Sequence, residues 1–259
     1  MYSNFDKVDM SNFPKANDVF YYFNVQCESL EEVNTISSLC NSIREDITVF
    51  AEISKGLSVN RNSLIKKIKS GIGIIADDDV KYEKEVFEKV RDAYLNDSVD
   101  FITFMIDTPY EESRCYKKYP SGNRKHTMFS LMRVSSIEIT FNAESLYKKQ
   151  VTFDTRFGLG SGDICKYEEA IFLNDLRKKG MKGNFVREYL VTHPYESSGK
   201  EKGYKSLKQI NDKFCFFFRY FGLLGLGAAL ILMMKNPVTF QFGIKKLFNT
   251  LLNSRQYRK

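Results

Sequence analysis

The 259-residue sequence contains no tryptophan and no internal repeat. Its five cysteines (Cys27, Cys40, Cys115, Cys165 and Cys215) lie far apart and form no Cys-x-x-Cys pair. Neither a zinc site nor a disulfide framework is therefore indicated, and a reducing cytosol is the default compartment. The opening residues, MYSNFDKVDMSNFPKANDVF, are polar, so no secretory leader is visible. The full Rossmann and P-loop glycine patterns are both absent. The three glycines of FDTRFGLGSGD, 153–163, accordingly read as a mobile loop on the substrate side rather than a phosphate cradle.

Charge is present in excess of one sign. Lys and Arg number 39 against 32 Asp and Glu, a net charge of +7 placed mostly in the second half. That balance suits an anionic membrane surface or an anionic ligand and does not by itself argue for nucleic acid. The length allows one large domain or two small ones.

Strand and helix patterns alternate through the first half. The aromatic, β-branched run at 19–27 reads as a buried strand. Ser29 caps a helix with Glu31 and Glu32 in its first turn and Val33, Ile36 and Leu39 on one face. Strands follow at 47–53, 72–76 and 101–106, with helices at 60–69 and 80–95. The last carries Val86, Phe87, Val90 and Tyr94 inward and spaces Glu85 and Lys89 for an i,i+4 pair. Such alternation predicts an α/β fold with a mostly parallel central sheet and helices on both faces. Beyond it, 110–125 is a polar, basic loop, and strands are expected at 126–133, 136–141 and 150–153. A helix at 167–179 opens with Glu168 and Glu169, and 184–190 is followed by His193.

The stretch at 55–79, KGLSVNRNSLIKKIKSGIGIIADDD, organises this half. A short apolar strand ends in Asp77, Asp78 and Asp79. Chemistry gathers at the carboxyl ends of strands in α/β sheets, and three carboxylates there can hold a hard divalent cation and, through it, a diphosphate. The alternative is that these acids only open the helix at 80–95. The same choice applies to Glu168 and Glu169. For His193 the alternative is a satisfied loop histidine, and for Arg61 a solvated helix face.

Read together, these pieces resemble a family 2 glycosyltransferase with a GT-A fold, of the bacterial cell-surface polysaccharide type. The resemblance rests on the 55–79 stretch, on VKYEKEVFEKVRDAYLNDSVDFITF, on SSIEITF, FDTRFGLGSGD and YEEAIFLNDLRKKG, and on THPYESS. It covers roughly residues 19–198. It implies that Asp77, Asp78, Arg61 and Asn62 bind the nucleotide sugar, a UDP-sugar first of all. Asp79 and His193 would bind a divalent cation, Mn2+ or Mg2+. Glu169, with Glu168 beside it, would be the catalytic base of an inverting transfer. A long-chain processive synthase is disfavoured, because such relatives carry a tryptophan-containing motif. The family would also place one more strand, with part of the nucleotide pocket, before Val19, and residues 1–18 do not read as that strand. Lys166 and Tyr167 precede the acidic pair where a glycine is more usual.

The remainder is apolar and basic. Residues 214–234 are nearly continuous in apolar side chains, broken by Arg219, and are long enough to span a bilayer or to lie along one. The 244–252 tail is amphipathic and basic. The expected division is a GT-A-like domain at 1–198 (nucleotide-sugar half 19–108, acceptor half 109–198), a basic hinge at 199–213 and a membrane-associated helical segment at 214–259. The chain would then work at the cytoplasmic face of a membrane on a lipid-linked or oligosaccharide acceptor, with no nucleic acid. Two rivals remain: a membrane-tethered nucleic-acid-binding protein with a helix-turn-helix at 51–70, and an inactive glycosyltransferase-like assembly protein.

Overall fold

The computed structural model describes residues 8–39, 44–109, 115–195 and 206–258. Cys40, part of the loop expected at 110–125 and the first part of the expected hinge lie outside them. The chain divides into two compact units, Met1–Tyr195 and Glu196–Lys259.

The first unit begins with β1 (Tyr21–Cys27) and β2 (Ile47–Ile53), which pair in parallel with Tyr21 opposite Ile47. The crossover between them is α1 (Leu30–Leu39). Its start is fixed reciprocally: Ser29 Oγ accepts from the Glu32 amide at 3.2 Å, and Glu32 Oε2 accepts from the Glu28 amide at 2.8 Å. Next come α2 (Leu57–Lys67), β3 (Ile72–Ile74), α3 (Val86–Asn96) and β4 (Phe101–Asp107). Lys89 on α3 pairs with Glu188 at 3.6 Å, across to a neighbouring strand.

The second sheet has five strands. Besides β3 and β4 it contains β5 (Arg124–Lys125), β6 (Ile139–Asn142) and β7 (Gly183–Thr192), in the order β3-β6-β4-β7-β5. The α/β class holds, with parallel pairing between β4 and β7. The β3–β6, β4–β6 and β5–β7 pairs are antiparallel. A parallel neighbour needs a crossover of a dozen or more residues, usually a helix. Among the described residues of 108–138 the longest α-helix, α4 (Met128–Leu131), has four residues, and β6 enters against the direction of its neighbours. Alternate residues of β4 serve two cores: Ile102, Phe104 and Ile106 on one side, Phe101 on the other.

Four sequence expectations change. Within 126–133 the chain forms α4 at Met128–Leu131 rather than a strand, because Thr127 and Ser130 build a capping box that closes a local turn. Residues 136–138 form a 3-10 turn and only Ile139–Asn142 are strand. Residues 150–153 are in no strand. Val151 and Phe153 are buried beneath α5 (Ala143–Lys149) and α6 (Glu168–Lys178), so their apolarity reflects core packing. Finally, α3 starts at Val86, seven residues beyond Asp79.

The second unit is helical: α7 (Leu207–Phe221), α8 (Gly225–Lys235) and α9 (Ile244–Asn253). The hinge expected through 213 is already helix from Leu207. Phe214, Phe216, Phe218, Arg219 and Tyr220 are all buried. A side chain at Gly225 would put its Cβ 2.6 Å from the Phe217 carbonyl oxygen, so α8 turns back against α7 instead of prolonging it. Taken as one helix, Leu207–Lys235 would be long and apolar enough to cross a bilayer. Taken separately, the two helices reach about 22 and 16 Å at about 1.5 Å per residue, against a hydrocarbon core of about 30 Å.

Candidate functional site

The site forms where α2, the end of β3 and the start of α6 meet. The first turn of α2 is strapped by the glycine loop. The Leu57 amide donates to the Leu159 carbonyl at 2.8 Å and Ser58 Oγ to the Phe157 carbonyl at 2.6 Å. A Cβ on Gly158 would meet Ser58 Oγ at 2.8 Å and the Glu168 side chain at 3.3 Å, so only glycine lets the loop lie this close. The loop expected to be mobile on the substrate side is therefore tied to the helix that carries Arg61.

Arg61 is the hub. Its guanidinium contacts Asp77 Oδ1 at 3.0 Å, Glu168 Oε1 at 3.4 Å and Glu169 Oε1 at 3.6 Å. One buried cation thus joins the strand-end acids to the helix-start acids, which lie about ninety residues apart in sequence. Burial works against its charge, and Asp77, Glu169 and Glu168 more than offset that. Ser136 Oγ donates to the other oxygen of Asp77 at 3.2 Å. Sequence reasoning did not find Ser136, since a serine at a strand entry carries no signal of its own.

The two glutamates differ. The Glu168 side chain is 5% exposed and that of Glu169 20%. Burial, then the neighbouring Glu169, pushes the Glu168 carboxyl up to about 8 against the pull of Arg61. Glu168 is thus the weaker acid by its burial, and Glu169 is the more open of the pair. Tyr167, just before them, has φ 78°, a left-handed backbone where the resembling family more often has glycine.

Asp79 and His193 make a second, open pair. Asp79 Oδ2 lies 3.3 Å from His193 Nε2, and the Asp79 side chain is 65% exposed. His193 Nδ1 lies 2.7 Å from the Pro194 carbonyl oxygen. That oxygen can only accept, so Nδ1 carries a proton. Nε2 then faces a carboxylate oxygen, and the contact is favourable only with a positive charge between them, a proton or a metal ion. Their mutual hydrogen bond raises the His193 pKa and lowers that of Asp79. Among the described residues no three His, Cys, Asp or Glu side chains converge as ligands. Asp79 and His193 are two neighbouring side chains that could supply ligands to a divalent cation.

The remaining candidates separate. Asp78 is exposed at the rim of a cavity of about 780 Å3. Asn62 is turned inward: its Nδ2 donates to the Phe153 carbonyl at 2.9 Å and its Oδ1 accepts from the Phe153 amide at 2.7 Å. It clamps the loop below the site, and both its polar atoms are engaged. The burial of Ser58, Asn60, Arg61 and Asn62 on α2 removes the helix-turn-helix reading, because a recognition helix must present such residues to DNA. The strand β2 also occupies 51–53, where that motif would need helix. Asp77 to Asp79 are not a helix cap either, since α3 begins after Glu85.

No family model matches the sequence, and no curated protein does. Solved structures do match in fold. The S. aureus TarS 1-349 structure in complex with UDP-GlcNAc superposes with a TM-score of 0.63 at 12% identity, over 96% of this chain and 76% of that one. TarS 1-349 alone gives 0.56 at 10% identity over 82% of this chain, and its complex with UDP gives 0.56 at 10% over 84%. This chain spans 58% and 59% of the length of those two. The fold is glycosyltransferase-like.

Proposed function

We propose that this protein is an inverting, non-processive glycosyltransferase. It moves a sugar from a UDP-sugar to a hydroxyl of an oligosaccharide or lipid-linked acceptor in surface polysaccharide synthesis. The observation that most supports this is Arg61, which brings Asp77, Glu168 and Glu169 into one cluster beside the Asp79–His193 pair. The cluster stands on a fold like that of TarS, which has been solved with UDP-GlcNAc and with UDP.

Each residue has a distinct task in this reading. Asp79 and His193 would hold Mn2+ or Mg2+, and that cation, when bound, neutralises charge developing on the departing diphosphate. The hydrogen bond from His193 Nδ1 to the Pro194 carbonyl leaves Nε2 to face the cation. Arg61 is too buried and too fully engaged to grip the donor. It positions the carboxylates instead. Glu169 would accept the acceptor hydroxyl's proton as that oxygen attacks the anomeric carbon from the face opposite the diphosphate. Glu168, the more buried of the pair and packed against Arg61, is less open to an acceptor than Glu169. Transfer from UDP-GlcNAc by the purified chain in manganese tests this. Glu169→Gln should lower the rate about 10² to 10⁴-fold, as general-base loss does, with donor affinity retained. A wild-type chain that releases no UDP, or a Glu169→Gln variant at full rate, overturns the assignment.

The same proposal places the enzyme on a membrane surface. On α9, Leu247 and Leu251 face inward, and Ile244, Phe248 and Leu252 form a second, exposed apolar stripe beside Lys245 and Lys246. Exposed Leu223, Leu224 and Met234 add to the apolar surface of this unit. Apolar side chains beside lysines suit an anionic bilayer entered from one side, at the cytoplasmic face. The full chain should float with vesicles containing phosphatidylglycerol, and Phe248→Glu should weaken that flotation. Equal flotation of the two would remove this face from the interface.

A further inference from the structure

A second cavity, of about 190 Å3, is lined by Lys118, Arg124, His126 and Arg133. Its cations stand on separate elements. Arg124 is on β5, paired opposite Phe185 of β7. Arg133 follows α4, and its amide donates to the Ser130 carbonyl at 3.2 Å. Lys118 lies between Lys117 and Tyr119, and both of those are tied to Glu138. Lys118, Arg124 and Arg133 are all exposed.

The carboxylate on this cavity is already spent. Glu138 is 2% exposed. Its Oε1 accepts from the Tyr119 hydroxyl at 2.6 Å, and its Oε2 from Lys117 Nζ at 2.5 Å and the Ser135 amide at 2.7 Å. Lys117 also donates to the Arg133 carbonyl at 2.6 Å, so this pair is closed. The outer cations differ. Elsewhere in the first unit the guanidinium groups of Arg44, Arg61, Arg91, Arg156, Arg177 and Arg187 each donate to an acceptor. The side chains of Lys118, Arg124 and Arg133 have no hydrogen-bond or ion-pair partner among the described residues. Three like charges thus ring one small cavity with no acid to balance them, a field that draws in an anion. That field reaches the cavity wall: burial, then Arg124 and Lys117, push the His126 imidazole down to about 4.

Two guanidinium groups and an ammonium match a tetrahedral dianion better than a single carboxylate, because each guanidinium can pair with two oxygens at once. Pockets that enclose a whole small molecule run to about 300–1,000 Å3, so this one suits a group on a larger molecule. The 136–138 turn is shared with the candidate site: Glu138 lines the cavity, and Ser136 Oγ donates to Asp77. Two residues of a 3-10 turn advance only about 4 Å.

We propose that this cavity binds a phosphate group through Arg124, Arg133 and Lys118, and that this phosphate belongs to the sugar acceptor. The assignment to the acceptor rests on the glycosyltransferase reading, whereas the phosphate site stands without it. An acceptor anchored here is held across the turn from the Arg61 cluster and makes no demand on the residues that face the donor.

The test follows the His126 imidazole by NMR in the full chain. The sequence has two histidines, so His193→Gln identifies the His126 signal. Inorganic phosphate is titrated at constant ionic strength, with chloride as control, into wild type and an Arg124→Gln/Arg133→Gln variant. A saturable shift of His126 with phosphate and not chloride is expected, with affinity weakened about tenfold or more in the variant. A shift that does not saturate, or equal affinity in the two proteins, overturns the phosphate site. A GlcNAc diphosphate ester of a short prenyl chain should move the same signal and bind more tightly than inorganic phosphate. An ester that binds more weakly overturns the assignment to the acceptor. UDP-GlcNAc affinity, which also reports folding, should be the same in wild type and variant. A parallel loss of it would make the cavity part of the donor site and overturn the proposal. A wild-type chain that answers phosphate at His126 but binds no UDP-GlcNAc would keep the phosphate site and remove the enzyme.

Discussion

The site consists of two acid groups of opposite character. The inner group (Arg61, Asp77, Glu168 and Glu169) is largely buried and tied together, whereas Asp79 and His193 form an outer pair open to solvent. The inner group holds more carboxylates than its one cation can balance, and burial with the neighbouring Glu169 raises the Glu168 pKa in the direction that relieves the excess. The outer pair meets the converse problem, a carboxylate and an imidazole nitrogen whose contact needs a proton or a metal ion between them. Burial thus fixes geometry in one place, and exposure leaves room for a ligand in the other.

The largest expected effect separates these roles. Arg61→Met should destabilise the protein by about 3–5 kcal/mol, the usual consequence of leaving buried charges without their partner. Denaturant unfolding at pH 7 measures it. A loss below about 1 kcal/mol would mean that Arg61 is a surface-like pairing and that the inner group does not organise the site.

A smaller effect should appear in the pH dependence. The folded Glu168 carboxyl titrates at about 8, well above the 4.5 of a free glutamate. A group raised in this way contributes stability that is fully present below about pH 4.5 and is lost as pH rises through about 8. Glu168→Gln, which imitates the protonated form, should flatten that decline and gain on the wild type above pH 8. Parallel stability curves for the two proteins would show that Glu168 ionises normally.

The inner group was only partly legible in the sequence. The acids announced themselves as Asp77 to Asp79 at a strand end and Glu168, Glu169 at a helix start. Their meeting through Arg61 did not, because a charged residue on a short helix reads as solvated until the fold buries it. Asn62 shows the opposite error: it stood in the right motif, yet its amide is spent on the Phe153 backbone. Among the elements, the β1–α1–β2 unit followed its periodicity closely. The strands expected at 126–133 and 150–153 did not form, because capping by Thr127 and Ser130 and core packing of Val151 and Phe153 produce the same apolar patterns.

Asp79 should matter little to stability, since most of its side chain is in water, and greatly to binding. The direct test is a calorimetric titration of UDP-GlcNAc into the full chain in manganese, in EDTA, and with Asp79→Ala in manganese. Saturable binding in manganese alone, lost in the other two, is the predicted result. No binding under any condition, or the same affinity under all three, would contradict it.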